Sequence, residues 1–172
     1  MKKVTIMKEM KHELLNENVF NMIGKDWLLI TAEKDGKVNT MTASWGGIGI
    51  LWNKKVAYIF IRPQRYTKEF IDAADKLSLS VLPNSYRKEL TYLGRVSGRD
   101  EDKIAKANLN LRKYEGVPYF EEARLTLIGK KLYAQSLEEA SFIEKGIIES
   151  CYPEKDYHTM YVVEIETILE AE

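Results

Sequence analysis

The feature that most constrains this chain lies between Trp27 and Ser44. Trp27-Leu28-Leu29-Ile30-Thr31-Ala32 is a short β-prone run, Glu33-Lys34-Asp35-Gly36-Lys37 is a polar break, and Val38 to Ser44 resumes the β pattern. Asp-Gly between two such runs predicts a tight hairpin, because both residues accept the left-handed backbone that matches strand twist. Val56–Ile61 and Leu77–Leu82 read as two further strands, the second with clean alternation, and Arg124–Ala134 and Met160–Leu169 complete a set of about six.

Helical signals are few and short. Thr67 is placed to cap a helix through Ala74, with Phe70, Ile71 and Ala74 on one face. Ser85 is placed to cap Tyr86–Leu93, with Gly94 ending it, and Asp100 to cap Glu101–Asn108. Tyr114-Glu115-Gly116-Val117-Pro118 is turn-rich. Strands outnumber helices and do not alternate with them as β-α-β units, which disfavours a parallel doubly wound sheet. The expected fold is mainly β, an antiparallel barrel with a few short helices inserted between strands. With 172 residues, and neither a linker nor an internal repeat, the chain is expected to form one domain over 1–172.

Charge and cysteine usage narrow the function. Lys plus Arg and Asp plus Glu each total 26, a balance that argues against nucleic-acid binding. The single cysteine, Cys151, fits a reducing compartment and reads first as a small packed hydrophobe. Met1-Lys2-Lys3-Val4-Thr5-Ile6-Met7-Lys8-Glu9 returns to charge before any leader-length apolar stretch, and no run approaches the length of a membrane span. A cytoplasmic protein with no membrane partner is expected. The two histidines, His12 and His158, have no metal-ligand spacing, and no metal site is expected. Neither a Gly-x-Ser-x-Gly elbow, a P-loop nor a Gly-x-Gly-x-x-Gly fingerprint is present.

Two stretches remain. Asn39-Thr40-Met41-Thr42-Ala43-Ser44-Trp45-Gly46-Gly47 runs from a strand into a glycine-rich loop and sets the hydroxyls of Thr40, Thr42 and Ser44 on one face of an extended segment. Such a face can serve a planar polar ligand, although composition alone favours an ordinary solvated Ser/Thr face. In Ile61-Arg62-Pro63-Gln64-Arg65-Tyr66-Thr67 a strand ends, two arginines follow, and a helix opens. A helix start with arginine beside it suits a phosphate, and equally two surface arginines paired with carboxylates. Ser97-Gly98-Arg99-Asp100 is a second loop opening onto a helix, where a plain capping turn is the simpler reading.

Together with Ser97-Gly98-Arg99-Asp100-Glu101-Asp102-Lys103 and Pro118-Tyr119-Phe120-Glu121-Glu122-Ala123-Arg124, these segments resemble the flavin reductase-like family of FMN-binding split barrels, and its flavoredoxin-type branch in particular. The likeness runs from about Trp27 to Ile165. It implies a Greek-key split β-barrel, a homodimer, and FMN near the subunit interface. On this resemblance Thr40, Met41, Thr42, Ala43, Ser44 and Trp45 face the flavin ring largely through backbone groups. Arg62, Tyr66 and Thr67 hold the phosphate, and Ser97, Gly98 and Arg99 add to it. Many flavin reductases of the family carry Gly-Asp-His near the last strand, where this chain has Asp156-Tyr157-His158. His158 is the candidate catalytic residue, beside the flavin or a docked nicotinamide; a structural histidine at a strand start is the competing reading.

The resemblance implies a flavoprotein oxidoreductase using FMN, with NADH or NADPH as reductant. The alternative is flavoredoxin-type electron transfer, in which bound FMN is reduced by a protein redox partner. A barrel that has lost its flavin is a third reading, disfavoured by intact Arg62, Thr67 and Thr40–Trp45.

Overall fold

The computed structural model describes residues 5–172. The start of the charged N-terminal stretch read above, Met1–Val4, lies outside the described residues. The strands are β1 (Met7–Met10), β2 (Leu28–Lys34), β3 (Lys37–Ala43), β4 (Gly46–Leu51), β5 (Lys54–Ile61), β6 (Lys76–Val81), β7 (Leu111–Tyr114), β8 (Val117–Phe120), β9 (Leu125–Ser136) and β10 (Thr159–Ala171). Between them lie α1 (Val19–Asn21), α2 (Tyr66–Ala73), α3 (Arg87–Arg95), α4 (Lys103–Lys106) and α5 (Gly146–Cys151).

The main sheet is antiparallel throughout, in the order β3-β2-β6-β9-β10-β5-β4, and β1 pairs with the end of β10. β7 and β8 form a separate hairpin. No ladder joins β3 to β4 among the described residues, so the sheet stays open there. This is the expected mainly β split-barrel arrangement. Ile30, Met41, Ile59, Ile61, Leu79, Leu127, Tyr161 and Val163 fill its core from one face, and Phe70 and Ile71 of α2 close over them. Removing such side chains from water supplies roughly 1.5–3 kcal/mol each, which makes the strand register hard to slip.

Turn chemistry explains the hairpins. Asp35 and Gly36 take φ of 51° and 74°, as Asp-Gly requires. Glu115 and Gly116, within the turn-rich stretch, do the same between β7 and β8 at 46° and 81°. Trp52 and Asn53 repeat it between β4 and β5 at 53° and 56° with no glycine present. The six expected strands are present, and β1, β4, β7 and β8 are additional. Gly46 and Gly47, read as part of a glycine-rich loop, open β4 instead, whose glycines let it lie close on β5: a Cβ on Gly46 would stand 2.6 Å from the Tyr58 carbonyl oxygen.

The capping expectations need correction. Arg65, not Thr67, precedes α2, and Thr67 sits buried in its first turn. Ser85 falls in a short 3-10 turn, and α3 runs through Gly94 to Arg95. Asp102, not Asp100, caps α4 by accepting from the Ala105 N–H.

β9 and β10 lie close together at Gly129, where a Cβ would meet Val163 Cγ1 at 2.4 Å and the Glu164 oxygen at 2.8 Å. Gly129→Ala should therefore lower stability by about 1–3 kcal/mol, read as a lower urea midpoint with an unchanged slope.

Candidate functional site

The end strand β3, the exit of β5, the start of α2, the end of α3 and the start of β10 converge on two adjoining cavities. The first, about 170 Å³, is lined by Met41, Thr42, Ala43, Ser44, Trp45, Phe60, Arg62, Arg65 and His158. The second, about 370 Å³, shares Met41, Arg62 and Arg65, and continues along Asn39, Gln64, Tyr66, Thr67, Arg95, Val96, Ser97, Gly98 and Lys103. One end of the groove is thus aromatic and the other cationic.

The threonine hydroxyls of β3 are taken up by bonds within the protein rather than offered as a row. Thr40 is fully buried, with its hydroxyl 2.9 Å from that of Thr31 and donating to the Ile30 carbonyl. Thr42 donates to the Leu90 carbonyl of α3 at 2.5 Å. What remains for a ligand is the outer backbone edge of β3, which no strand pairs among the described residues, together with exposed Ser44 and Trp45. Trp45 and Phe60 flank His158, with ring centroids 5.3 Å and 6.5 Å away.

His158 is buried, and its Nδ1 lies 2.7 Å from the Tyr152 hydroxyl. Burial, then the neighbouring Arg62 charge, pull its pKa down to about 4. The imidazole is therefore neutral at pH 7, and Nδ1 is engaged.

Arg62 is not a free phosphate clamp. It donates to Asp156 at 2.6 Å and to the Cys151 carbonyl at 2.9 Å, and its guanidinium lies 5.0 Å from the Tyr152 ring centroid. Gln64 joins the same carboxylate at 2.7 Å. These bonds, Gln64 first, hold the Asp156 carboxyl below the usual carboxylate range. Thr67 is buried and accepts from Asn39 Nδ2 at 2.9 Å, so its own proton is what it can still donate. Arg99 lines neither cavity: it pairs with Glu69 at 2.5 Å and stacks 4.7 Å from the Tyr66 ring.

The free positive charge sits elsewhere, on residues outside the expected set. Arg65 donates to the Gly94 carbonyl at 2.7 Å, and burial and Arg62 lower its pKa. Lys103, 3% exposed, donates to the carbonyls of Leu93 and Val96 at 2.8 and 2.9 Å. Burial, then Arg65, bring its pKa down to about 8. Arg95 completes the corner. Among the described residues none of these three has a carboxylate within 4.0 Å. Unneutralised cations gathered in a partly dry corner make a site for an anion. Ser97 and Gly98 form its rim, and Gly98 lies so close to Asn39 that a Cβ would meet Oδ1 at 2.3 Å. Lys103 carries no sequence mark distinguishing it from a surface lysine, and Arg65 stood in the loop without a means of ranking it above Arg62.

The family model for the flavin reductase like domain matches residues 22–172. The chain belongs to that family. Solved structures similar to this flavin reductase-like chain include an FMN-binding domain of a flavin reductases-like enzyme from Shewanella baltica, with TM-score 0.71 and 14% identity, covering 98% of this chain and 78% of that one. The flavoredoxin of Methanosarcina acetivorans has TM-score 0.64 and 23% identity, with 94% and 74% covered. The flavoredoxin of Desulfovibrio vulgaris (Miyazaki F) has TM-score 0.66 and 22% identity, with 95% and 77% covered. No curated protein sequence matches. Among the described residues there is no group of metal-binding side chains, and no helix is long and apolar enough to cross a membrane.

His158 in this flavin reductase-like fold is kept neutral, whereas the unfolded chain protonates it near pH 6.5. Between pH 6.5 and about 4 the unfolded state binds the extra proton, so stability should fall as pH drops through that window. Thermal melts across it should show a shallower loss in His158→Asn than in the wild type; identical slopes would assign the loss to other groups.

Proposed function

We propose that this chain is a single-domain, cytoplasmic FMN-binding redox protein, with the flavin ring at the aromatic end of the groove and the phosphate at Arg65, Arg95 and Lys103. The observation that carries this reading is the carboxylate-free cationic corner adjoining a cavity edged by unpaired strand backbone and aromatic rings. FMN has that polarity: a planar ring with a hydrogen-bonding edge at one end and a dianion at the other. The similar Shewanella structure is named for FMN binding, which supports the same cofactor.

When bound, FMN supplies hydride and electron acceptance. The chain's residues position it and exclude water. The β3 edge at Met41–Trp45 orients the ring, Phe60 and Trp45 wall it, and neutral His158 offers its remaining ring nitrogen without adding charge. Ser97 and Thr67 supply hydroxyls beside the phosphate. Arg62 serves by tying Asp156, and with it the approach to β10, to the end of β5.

The favoured activity is FMN-dependent oxidation of NADH or NADPH. A flavoredoxin-type exchange with a protein partner is the second reading, favoured by Asp156-Tyr157-His158 in place of the expected Gly-Asp-His, with the bulky Tyr157 packed on Phe142 and Tyr152. Steady-state NADH and NADPH oxidation with FMN present separates them: turnover slowed by His158→Ala at unchanged FMN affinity supports the first, and absent turnover with a yellow protein supports the second. We further propose a homodimer, for which exposed Ile50, Trp52 and Tyr133 offer an apolar face. Light scattering of the flavin-loaded protein should give twice the 19.9 kDa chain mass, and the monomer mass would count against it.

The site assignment is tested with riboflavin as the ligand lacking the phosphate. Lys103→Met and Arg65→Ala should each weaken FMN binding by about 10- to 100-fold, the size of one charge-assisted hydrogen bond, and leave riboflavin nearly unchanged. Arg62→Ala should weaken both ligands alike, since it releases Asp156 rather than the phosphate. Equal losses of FMN and riboflavin in Lys103→Met and Arg65→Ala would show damage to the fold and reject the phosphate corner.

A further inference from the structure

The connection from β9 to β10, residues 137–158, is tied to the aromatic end of the groove at two places. Arg62 holds the Asp156 carboxylate and the Cys151 carbonyl. Tyr152, 4% exposed, sets its hydroxyl 2.7 Å from His158 Nδ1. Its ring packs against the Arg62 guanidinium, 5.0 Å from the centroid, and against the rings of Phe142 and Tyr157 at 5.8 and 5.1 Å. The hydroxyl has no other hydrogen-bond partner among the described residues. Burial raises its pKa, so the phenol keeps its proton at pH 7.

A hydroxyl and a neutral imidazole nitrogen can bond in two ways. If Nδ1–H donates to the phenol oxygen, the phenol proton is left buried with no acceptor. If the phenol donates to Nδ1, both groups are satisfied and the ring proton sits on Nε2. An unmade bond in a dry place favours the second arrangement by about tenfold or more. No carboxylate competes for the ring: Asp156, whose charge reaches His158, commits its Oδ2 to Arg62 and Gln64. Arg62 and Arg65, the other charges facing it, offer no acceptor. Nε2 has no partner among the described residues, and their fully buried unpaired atoms belong to Glu33, Glu89 and Tyr157. Nε2 therefore opens onto the 170 Å³ cavity that His158 lines beside Trp45 and Phe60.

Resting on the FMN reading above, we propose that Tyr152 is a positioning residue, which donates to Nδ1 and so fixes His158 as an Nε2–H donor in the ring cavity. The consequence is a choice of ligand atom. An Nε2–H group donates and cannot accept, so it seats the flavin by a ring-nitrogen lone pair or a carbonyl oxygen and turns away the ring's own N–H. The opposite tautomer would reverse that preference. Tyr152 lines neither cavity of the groove, so it sets the register of the ring through His158 alone.

The test is long-range proton–nitrogen NMR of the whole chain at pH 7, before and after FMN is added, with His12→Asn identifying the other imidazole. Wild type should show Nδ1 unprotonated and Nε2 protonated, and the Nε2–H signal should move downfield when FMN binds. Tyr152→Phe should populate both tautomers and weaken FMN and riboflavin alike by about fivefold, the loss of one neutral hydrogen bond. A wild type protonated at Nδ1, or at both nitrogens, would overturn the proposal from its spectrum alone, even if Tyr152→Phe fails to fold. So would an unchanged Nε2–H form in Tyr152→Phe, which would leave Tyr152 as packing, or an Nε2–H signal that bound FMN does not move. A wild type that binds neither FMN nor riboflavin would overturn the FMN reading and the ligand half of this proposal, whereas the tautomer is read without flavin.

Discussion

The ladder between β9 and β10 is the constraint on which the rest hangs. These are the longest strands, paired from Thr159↔Ser136 to Glu170↔Leu125, with two register shifts that let β10 bend. Along one edge β10 carries β5 at its start and β1 at its end, while β9 carries β6 and through it β2 and β3. Each side of the site is therefore placed by a different edge of the same pair: Phe60 and Arg62 through β5, Asn39 to Trp45 through β6, β2 and β3. Gly129 permits the close approach that holds the two halves at a fixed spacing.

Within that frame the site is organised by which charges are neutralised and which are not. Arg62 is spent on Asp156, and Arg99 on Glu69. Arg65 and Lys103 are held by backbone carbonyls of the α3 end, which satisfy their N–H groups without cancelling their charge. A carbonyl dipole holds an ammonium in place at far lower cost to its attraction for an anion than a carboxylate would. The same logic keeps His158 neutral: a hydroxyl rather than a carboxylate meets its Nδ1, and burial and the Arg62 charge outweigh what Asp156 would do to favour a proton there.

Much of the barrel was legible in the sequence because its strands alternate and its first hairpin carries Asp-Gly. The strands that escaped notice have physical reasons. β4 is half glycine, a composition of low strand propensity that here serves close approach to β5, and its turn uses Trp52-Asn53 in a conformation glycine usually supplies. β1 is four residues long and half charged. Residues from 39–45, 62–67 and 97–98 line the two cavities while Arg99 does not, and which arginine is free is a tertiary matter. Arg62 and Arg65 share a loop, and only the fold brings Asp156 to one and the Gly94 carbonyl to the other. Lys103 was invisible for the same reason, since its burial depends on the packing of α3 against β3.

The order of these residues along the chain has a consequence for how the protein is made. A growing polypeptide has every cation of the anion corner in hand once Lys103 has emerged, more than sixty residues before the end of the chain. Yet β5, whose exit carries Arg62 and Arg65, has only β4 as a partner until Thr159–Glu164 arrive to pair with its other edge. Contacts that span about a hundred positions are costly in loop closure and form late. Synthesis thus delivers the binding groups early and the scaffold that aims them last, so a ribosome-bound chain short of β10 holds the chemistry without the geometry.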